Sequence, residues 1–487
     1  MWTRRFPPAL TALAFVALGM FVEAAEPAPV EIGSRRELFV DELLIGELQG
    51  TRLKLHEPKR LPRNAYPARP TGHYATVIHD GELYRLYYRG DKIPGAHWRD
   101  GWTRYHDQEV TLYAESRDGY RWTKPDLKLY QLAEFRDGNV VLDEGLVVNH
   151  NFSPFIDARP GVPADQRYKG LGGLKYPDEK ANRPGWQTPA ERAEMIARYG
   201  LPGLRAFASP DGIHWTKMQD EPVITNGAFD SQNVAFWSSA EQQYACYYRV
   251  MNNGVRSIAR ATSADFLHWT EPVVMQANQP GEHLYTNGTH PYFRAPHIYI
   301  ALPTRFMANR SSITDVAFMA ARPGSTSYAR LFKEAFIRPG LGKDGWGNRS
   351  NYVAWHVVPT SDTEMSMYNF NGDHLVLRID GFISIHAGAE EGEFTTQPFT
   401  FQGSQLEINE STSAAGRIRV EIQDADGKPI EGYTLDDSET IYGDRIRHWV
   451  RWGQEQAKSA DVSRLAGRPV RLRFVMQEAD LYSLKFE

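Results

Sequence analysis

"SRDGYRWTKP" (116–125), "SPDGIHWTKM" (209–218) and "SADFLHWTEP" (263–272) share Ser, Asp, Trp and Thr in register, and "ARPGSTSYARLF" (321–332) is a weaker fourth copy. In the first two copies Asp-Gly supplies a tight hairpin, and the Trp three residues after the glycine packs back over it. An alternating strand precedes each copy: "EVTLYAES", "LRAFAS", "SIARATS" and "DVAFMAA". One such sheet unit cannot bury both of its faces alone, so a periodic series of them predicts a propeller or a similar array.

A second repeat lies earlier in the units. "GELYRLYYRGD" (81–91), "EQQYACYYRVM" (241–251) and "PHIYIALPTRFM" (296–307) read as second strands that close on Arg89, Arg249 and Arg305. Their inner strands are "HYATVIHD", "NVAFWSS" and "HPYFRA". Two further pairs are "HNFSPFIDARPG" with "QRYKGLGGL", and "NYVAWHVVPT" with "EMSMYNF". Five pairs between residues 66 and 370 predict an all-β chain: a five-bladed β-propeller over 26–370, with 26–65 as a lead-in. "TPAERAEMIARYG" (188–200) carries helix start and stop signals and reads as an insertion in the second unit. From residue 371 the Trp turns cease. "GRIRVEIQDADGKPIEGYTL" and "RPVRLRFVMQEADLYSLKFE" predict a β-sandwich over 371–487, with a bracing or carbohydrate-binding role.

Composition narrows the function. The chain has 487 residues, 41% hydrophobic and 24% charged, with a formal net charge of −5. Nucleic-acid binding would call for a clustered basic face, which is not seen. "MWTRRFPPALTALAFVALGMFVEAAEPAPV" opens with Arg4 and Arg5, then an apolar run shorter than a membrane span, then small residues. Residues 1–25 therefore read as a signal peptide, which predicts a secreted or periplasmic protein with no membrane segment after its removal. A single cysteine, Cys246, makes no internal disulfide and reads as a buried apolar residue. Metal and phosphate motifs are not found, so neither a metal nor a cofactor is expected.

In a propeller, the residues before each inner strand, after each second strand and before each third strand open on one pocket. Around the ring these positions hold His73 and Tyr74; His150 and Asn151; Asp230, Gln232 and Asn233; Asn287 and His290; and Asn348, Arg349 and Asn351. Second-strand exits add Arg89, Asp91, Arg249 and Arg305, and third-strand starts add Asp107, Glu109 and Asp315. Tyr285, at the head of the fourth unit, offers a ring face. Amides, imidazoles and guanidiniums suit hydroxyls and anions, and aromatic faces suit sugars. Glycosidic cleavage needs two carboxyls. Asp230, in the polar turn of "GAFDSQNVAFW", is the first candidate, and Glu109, Asp315 and Asp91 are all placed to be its partner.

"RRELFVDELLI", "GELYRLYYRG", "EVTLYAESRDG", "HNFSPFIDARPGVPADQRYKGLGG", "FDSQNVAFW", "PYFRAPHIYIALPTRF" and "EAFIRPG" together resemble a large group of secreted bacterial five-bladed propeller proteins. These are similar to glycoside hydrolase families 32 and 43, and the resemblance spans nearly all of the chain after the signal. It implies a glycoside hydrolase-like protein that cleaves a poly- or oligosaccharide by carboxyl chemistry in an axial pocket. Family 43 begins its first and second inner strands with Asp and its third with Glu. Here those places fall near His73, at Asn151 and at Asn233, so the acids have moved or the pocket binds without cutting. The first reading is a hydrolase with Asp230 and either Glu109 or Asp315 as catalytic carboxyls. His73, Arg89, Asp91, His150, Asn151, Gln232, Asn233, Arg249, Tyr285, His290 and Arg305 would hold the sugar. The arginines favour an anionic glycan. The alternative is a non-catalytic glycan-binding protein, and a third reading is a scaffold for a protein partner.

Overall fold

The computed structural model describes residues 28–93, 108–174, 189–454 and 459–487; the signal segment, Asp107 and Thr188 lie outside the described residues. The Trp turns form as the repeats predict. In the second copy the Ser209 hydroxyl accepts from the backbone N–H groups of Asp211 (3.3 Å) and Gly212 (2.9 Å). Asp211 Oδ1 accepts from the N–H groups of Ile213 and His214, and Trp215 Nε1 donates to the Gly212 carbonyl at 3.0 Å. The first and third copies repeat the pattern. The position after the aspartate has positive φ in all three, and in the third copy it is filled by Phe266 at φ 73°. A left-handed non-glycine residue is strained by about 1–3 kcal/mol. Phe266 is held there because its ring is fully buried against Phe155, Tyr244 and Trp269.

These turns join the outer two strands of antiparallel sheets. The first sheet comprises Thr76–His79, Tyr84–Asp91, Glu109–Ser116 and Val140–Leu142. The second comprises Ser153–Ile156, Tyr168–Leu174, Gly203–Ser209 and Thr216–Lys217, with the helix Pro189–Tyr199 between its middle strands and Gly200 (φ 77°) ending that helix. The third comprises Val234–Ser238, Gln243–Asn252, Val255–Ser263 and Val273–Val274.

At the fourth place the sequence predicts one unit, but the chain makes two three-stranded sheets. One holds His290–Tyr292, Ala295–Ala301 and Met319–Ala321; the other holds His283–Leu284, Thr304–Met307 and Ile313–Val316. Pro303, which lacks an N–H, interrupts the long strand between Ala301 and Thr304. The fifth sheet is Val358–Pro359, Glu364–Tyr368 and His374–Arg378, completed by Lys59–Arg60 from near the other end of the chain. The expected boundary at 370/371 thus falls inside a sheet, because His374–Arg378 pairs with Glu364–Tyr368.

The first four inner strands pack on one another in chain order, and the fifth meets the first. Val77 N–H donates to the Trp355 carbonyl (3.1 Å) and Trp355 N–H to that of Ala75 (2.8 Å). Trp355 Nε1 donates to Thr289 O, and Val357 N–H donates to His290 Nε2.

The remaining strands form one ten-stranded sheet built on Leu406–Asp424 and Val470–Phe486. Residues 30–55, expected to lead into the first sheet, instead supply four of its strands: Val30–Gly33, Glu37–Leu38, Ile45–Gln49 and Thr51–Leu55. Its core includes Phe394, Phe399, Phe401, Ile408, Val420, Trp452, Phe474 and Phe486. It is clamped to the fourth and fifth sheets by Asp380, which is fully buried. Asp380 accepts from Tyr292 Oη (2.7 Å), Arg294 Nη1 (2.6 Å), Ser483 Oγ (2.7 Å) and Asn409 Nδ2 (3.2 Å). Replacing one partner of such a network strands the other charge. Asp380→Ala should therefore lower unfolding free energy by about 3–5 kcal/mol in urea titrations; a loss under about 1 kcal/mol would show that the clamp does not hold the two parts together.

Candidate functional site

The polar residues that precede the inner strands divide into two kinds. Some face inward and lock strands together. Gln232 Nε2 donates to the carbonyls of Tyr74 (3.3 Å) and Ala75 (3.0 Å) and lies 3.1 Å from Thr76 Oγ1. Asn233 Nδ2 donates to Phe229 O and Ser231 O, both at 3.0 Å. His290 Nδ1–H donates to Gly288 O (2.9 Å) while Nε2 accepts from Val357 N–H. Burial holds the His290 pKa down at about 4, and both ring nitrogens are committed to backbone. Gln232, Asn233 and His290 were expected to hold sugar; all three are buried structural ties, so these expectations are corrected.

Arg305 and Asp315 are also corrected. They are cross-strand partners, and the guanidinium donates twice to the carboxylate, Nε and Nη2 both at 2.6 Å. Glu282 lies beside Arg305 and binds Arg330 through both oxygens. Arg305 does not share an opening with His290: the two sit on separate sheets with separate partners.

The others converge. Glu109 is fully buried beneath the end of the first sheet, and His150 Nδ1–H donates to its Oε2 at 2.6 Å. Arg89 Nη1 lies 3.2 Å from Glu109 Oε1 and donates to Asn151 Oδ1, also at 3.2 Å. A buried carboxylate must be paired, and this one is held by an imidazole and a guanidinium. His150 Nε2 faces two ways. It lies 2.9 Å from Asn151 Nδ2, from which a neutral ring accepts, and 3.6 Å from Asp230 Oδ1, toward which a protonated ring donates. Burial alone would push the His150 pKa down, but the carboxylates of Glu109 and Asp230 outweigh it and hold the pKa above 6.5.

Asp230 differs from Glu109 in being open to solvent, with 60% of its side chain accessible. Its surroundings oppose protonation: the pull of burial is outweighed by His150, Arg249 (Nη2 3.7 Å from Oδ2) and Arg89, so its pKa lies below the usual carboxylate range. Asp91 is moved the other way. It stands directly opposite Glu109 in the strand register, and burial, with Glu109 adding repulsion, raises its pKa above 3.8.

Aromatic side chains wall this cluster. Tyr74, Tyr285 and Tyr352 form a buried group, with Tyr285 and Tyr352 stacked at 5.5 Å and Tyr74 at 5.6 Å from Tyr352. His73 stacks on Phe370 at 4.6 Å; burial and the nearby Arg89 and Arg349 lower its pKa to about 4, so it is neutral. Arg89 lies over the Tyr74 ring at 5.3 Å and Arg249 over Tyr285 at 4.9 Å. Tyr74 (φ 52°), Asn151 (φ 50°) and Arg349 (φ 55°) are all left-handed, so strained backbone concentrates here.

Thus the structure brings together His73, Arg89, Asp91, Glu109, His150, Asn151, Asp230, Arg249 and Tyr285. Sequence reasoning missed Arg256, Tyr352, Phe306 and Phe370 as members. Arg256 follows the Asn253–Gly254 turn at the start of a third strand, the same position that identified Glu109.

No protein-family model matches the chain, and no curated protein sequence matches it. Among solved structures, one similar chain is an exo-β-1,3-galactanase from Phanerochaete chrysosporium with galactose: 9% identity, TM-score 0.38, covering 88% of this chain and 99% of that one. A family GH32 β-fructofuranosidase from Bombyx mori matches at 10% identity and TM-score 0.40, covering 88% and 95%. A β-1,2-mannobiose phosphorylase from Listeria innocua matches at 11% and 0.41, covering 67% and 97%. At such scores and identities neither a shared fold nor a shared activity follows.

The Glu109–His150 pair predicts a measurable titration. In the wild-type protein the His150 ring should titrate above 6.5 by NMR. In Glu109→Gln the ring loses the largest charge that opposes its burial, and the midpoint should drop by about one pH unit or more. An unmoved midpoint would separate the two groups.

Proposed function

We propose that this protein hydrolyses a glycosidic bond in a poly- or oligosaccharide, with Asp230 and Asp91 as its working carboxyls. The observation that carries this reading is their opposite poise around the shared Arg89 and His150: Asp230 is open to solvent and its pKa is held down, while Asp91, across the strand register from Glu109, has its pKa pushed up. Glycosidic cleavage needs one carboxyl of each kind, and pairs whose environments push their pKa values apart mark acid and base. Asp91 gives its proton to the leaving oxygen as the glycosidic bond breaks; Asp230 either activates the water that attacks the anomeric carbon, or attacks it to form an ester that water, deprotonated by Asp91, then cleaves. Glu109 is too buried to reach a sugar. It is a positioning residue, holding His150 beside Asp230. Tyr74, Tyr285 and Tyr352 are the buried support beneath Arg89 and Arg249, holding those guanidiniums in place.

The framework we propose is a five-bladed β-propeller. The first, second, third and fifth sheets are four blades, the split fourth unit is another, and the strand from near the N-terminus completes the last. The cycle of neighbouring inner strands supports this count. The ten-stranded sheet is a β-sandwich that braces it. The apolar N-terminal segment, with its basic start, supports export and a secreted or periplasmic location.

Two substitutions test the chemistry. On an oligosaccharide substrate Asp230→Asn should lower turnover by about 10³-fold, and Asp91→Asn by about 10²–10⁴-fold. An activated aryl glycoside, whose leaving group needs no proton, should be nearly insensitive to Asp91→Asn. The pH profile follows from the same assignments. Asp230 must be ionised, which holds above its lowered pKa; Asp91 must be protonated, so the rate falls as pH rises through a pKa above 3.8. An acidic optimum results. Sugar binding by calorimetry with no product at any pH would overturn hydrolysis and leave a glycan-binding protein.

A further inference from the structure

We propose that Arg249, Arg256 and Arg349 form a subsite for an acidic substituent, a carboxylate or sulfate, on the sugar; this rests on the reading that the site takes a glycan. The three guanidiniums gather around one ring, at 4.9, 5.2 and 5.9 Å from the centroid of Tyr285. Arg256 also lies 4.9 Å from the centroid of Phe306. Arg249 and Arg256 stand on the two strands of one hairpin in the third sheet, and Arg349 comes from the segment before the fifth sheet. Only the tertiary fold adds the third guanidinium to the other two.

Their charge balance is what points to an anion. Arg89 faces Glu109, and Arg305 is saturated by Asp315, so neither has charge to spare for a ligand. Among the described residues no carboxylate lies within ion-pair range of Arg256 or Arg349, and Arg249 has Asp230 alone at 3.7 Å. Arg249 is itself buried, yet its Nη1 has no hydrogen-bond partner; the buried hydroxyl of Tyr352, stacked on Tyr285, has none either. Attraction to the ring faces holds the guanidiniums in place but leaves their charge unneutralised. A ligand anion completes the balance, and guanidiniums bind carboxylate and sulfate oxygens two at a time.

Arg349 is also held for this task. Its backbone is left-handed at φ 55°, and its N–H donates to Ser312 O at 2.9 Å. Two residues on, Asn351 Nδ2 donates to the carbonyls of Thr314 (2.6 Å) and Gly345 (2.7 Å). A strained backbone kept in place by buried ties presents an exposed guanidinium to the cluster.

The test titrates four probe classes against the full-length protein by calorimetry: neutral hexose oligomers, hexuronate oligomers, the same oligomers methyl-esterified, and sulfated galactan oligomers. Wild type should bind a charged class, hexuronate or sulfated, and that arm identifies the anion. Neutral and esterified probes should bind about tenfold or more weakly. R256Q and R349Q should each lose about tenfold for the charged probe and nothing for the neutral one, with R256K and R349K recovering part of the loss. Neutral oligomers bound as tightly as charged ones, or charged binding unmoved in R256Q and R349Q, would overturn the anionic subsite while leaving the glycan site standing. No binding of any class would instead overturn the glycan reading, and the subsite with it.

Discussion

The side-chain amide of Gln232 ties the third sheet to the first. It donates to two successive carbonyls, those of Tyr74 and Ala75, just before the first inner strand begins. Both partners are buried, so these groups have no water to turn to, and the bonds are obligatory. The consequence reaches the site directly. Tyr74 is locked in a left-handed conformation, which sets its ring under Arg89 and beside Tyr352. Asp230 stands two residues before Gln232, so the same anchor fixes the turn that presents it. Ser231, between them, donates from its hydroxyl to Tyr285 O at 2.6 Å and carries the tie to the aromatic wall.

With that geometry fixed, electrostatics assigns different tasks to chemically similar groups. Three carboxyls share the site and behave differently. Glu109 is sealed and paired, Asp230 is open and surrounded by cations, and Asp91 sits opposite another acid in the strand register. Cations hold the Asp230 pKa down, while burial and the facing Glu109 raise that of Asp91. The same logic separates the arginines. Those matched by a carboxylate are part of the framework, and Arg256 and Arg349, gathered around Tyr285, have no carboxylate within ion-pair range among the described residues.

The framework resists this strain by pairing segments far apart in the chain. Lys59–Arg60 completes the fifth sheet, and the strands of residues 30–55 join a sheet otherwise made from residues beyond 382. Asp380, Arg36, Arg294 and Glu407 form a buried ionic cluster where that sheet meets the fourth. Glu37 accepts from His297 and Arg322 beside it. Asp157 ties the second and third sheets in a similar way, accepting from Lys169 and Tyr244, both at 2.6 Å.

The sequence alone determined what depends on neighbours along the chain. The Ser-x-Asp-x-x-x-Trp turns close with their own side chains, the strands alternate, and the helix stops at Gly200, so these elements could be read directly, as could the rule that placed Glu109, His150, Asp230 and Arg249 near one another. The tertiary structure decided which polar residue meets which partner. His290 and His150 each precede an inner strand and are alike in sequence; one meets two backbone groups and the other two carboxylates. Arg305 and Arg249 occupy like places in the sequence repeat; one pairs across the sheet with Asp315, and the other stands 3.7 Å from an exposed Asp230. Charge state and task follow from what stands within 4 Å across the sheets, and that spacing is set by long-range pairing that no local pattern encodes.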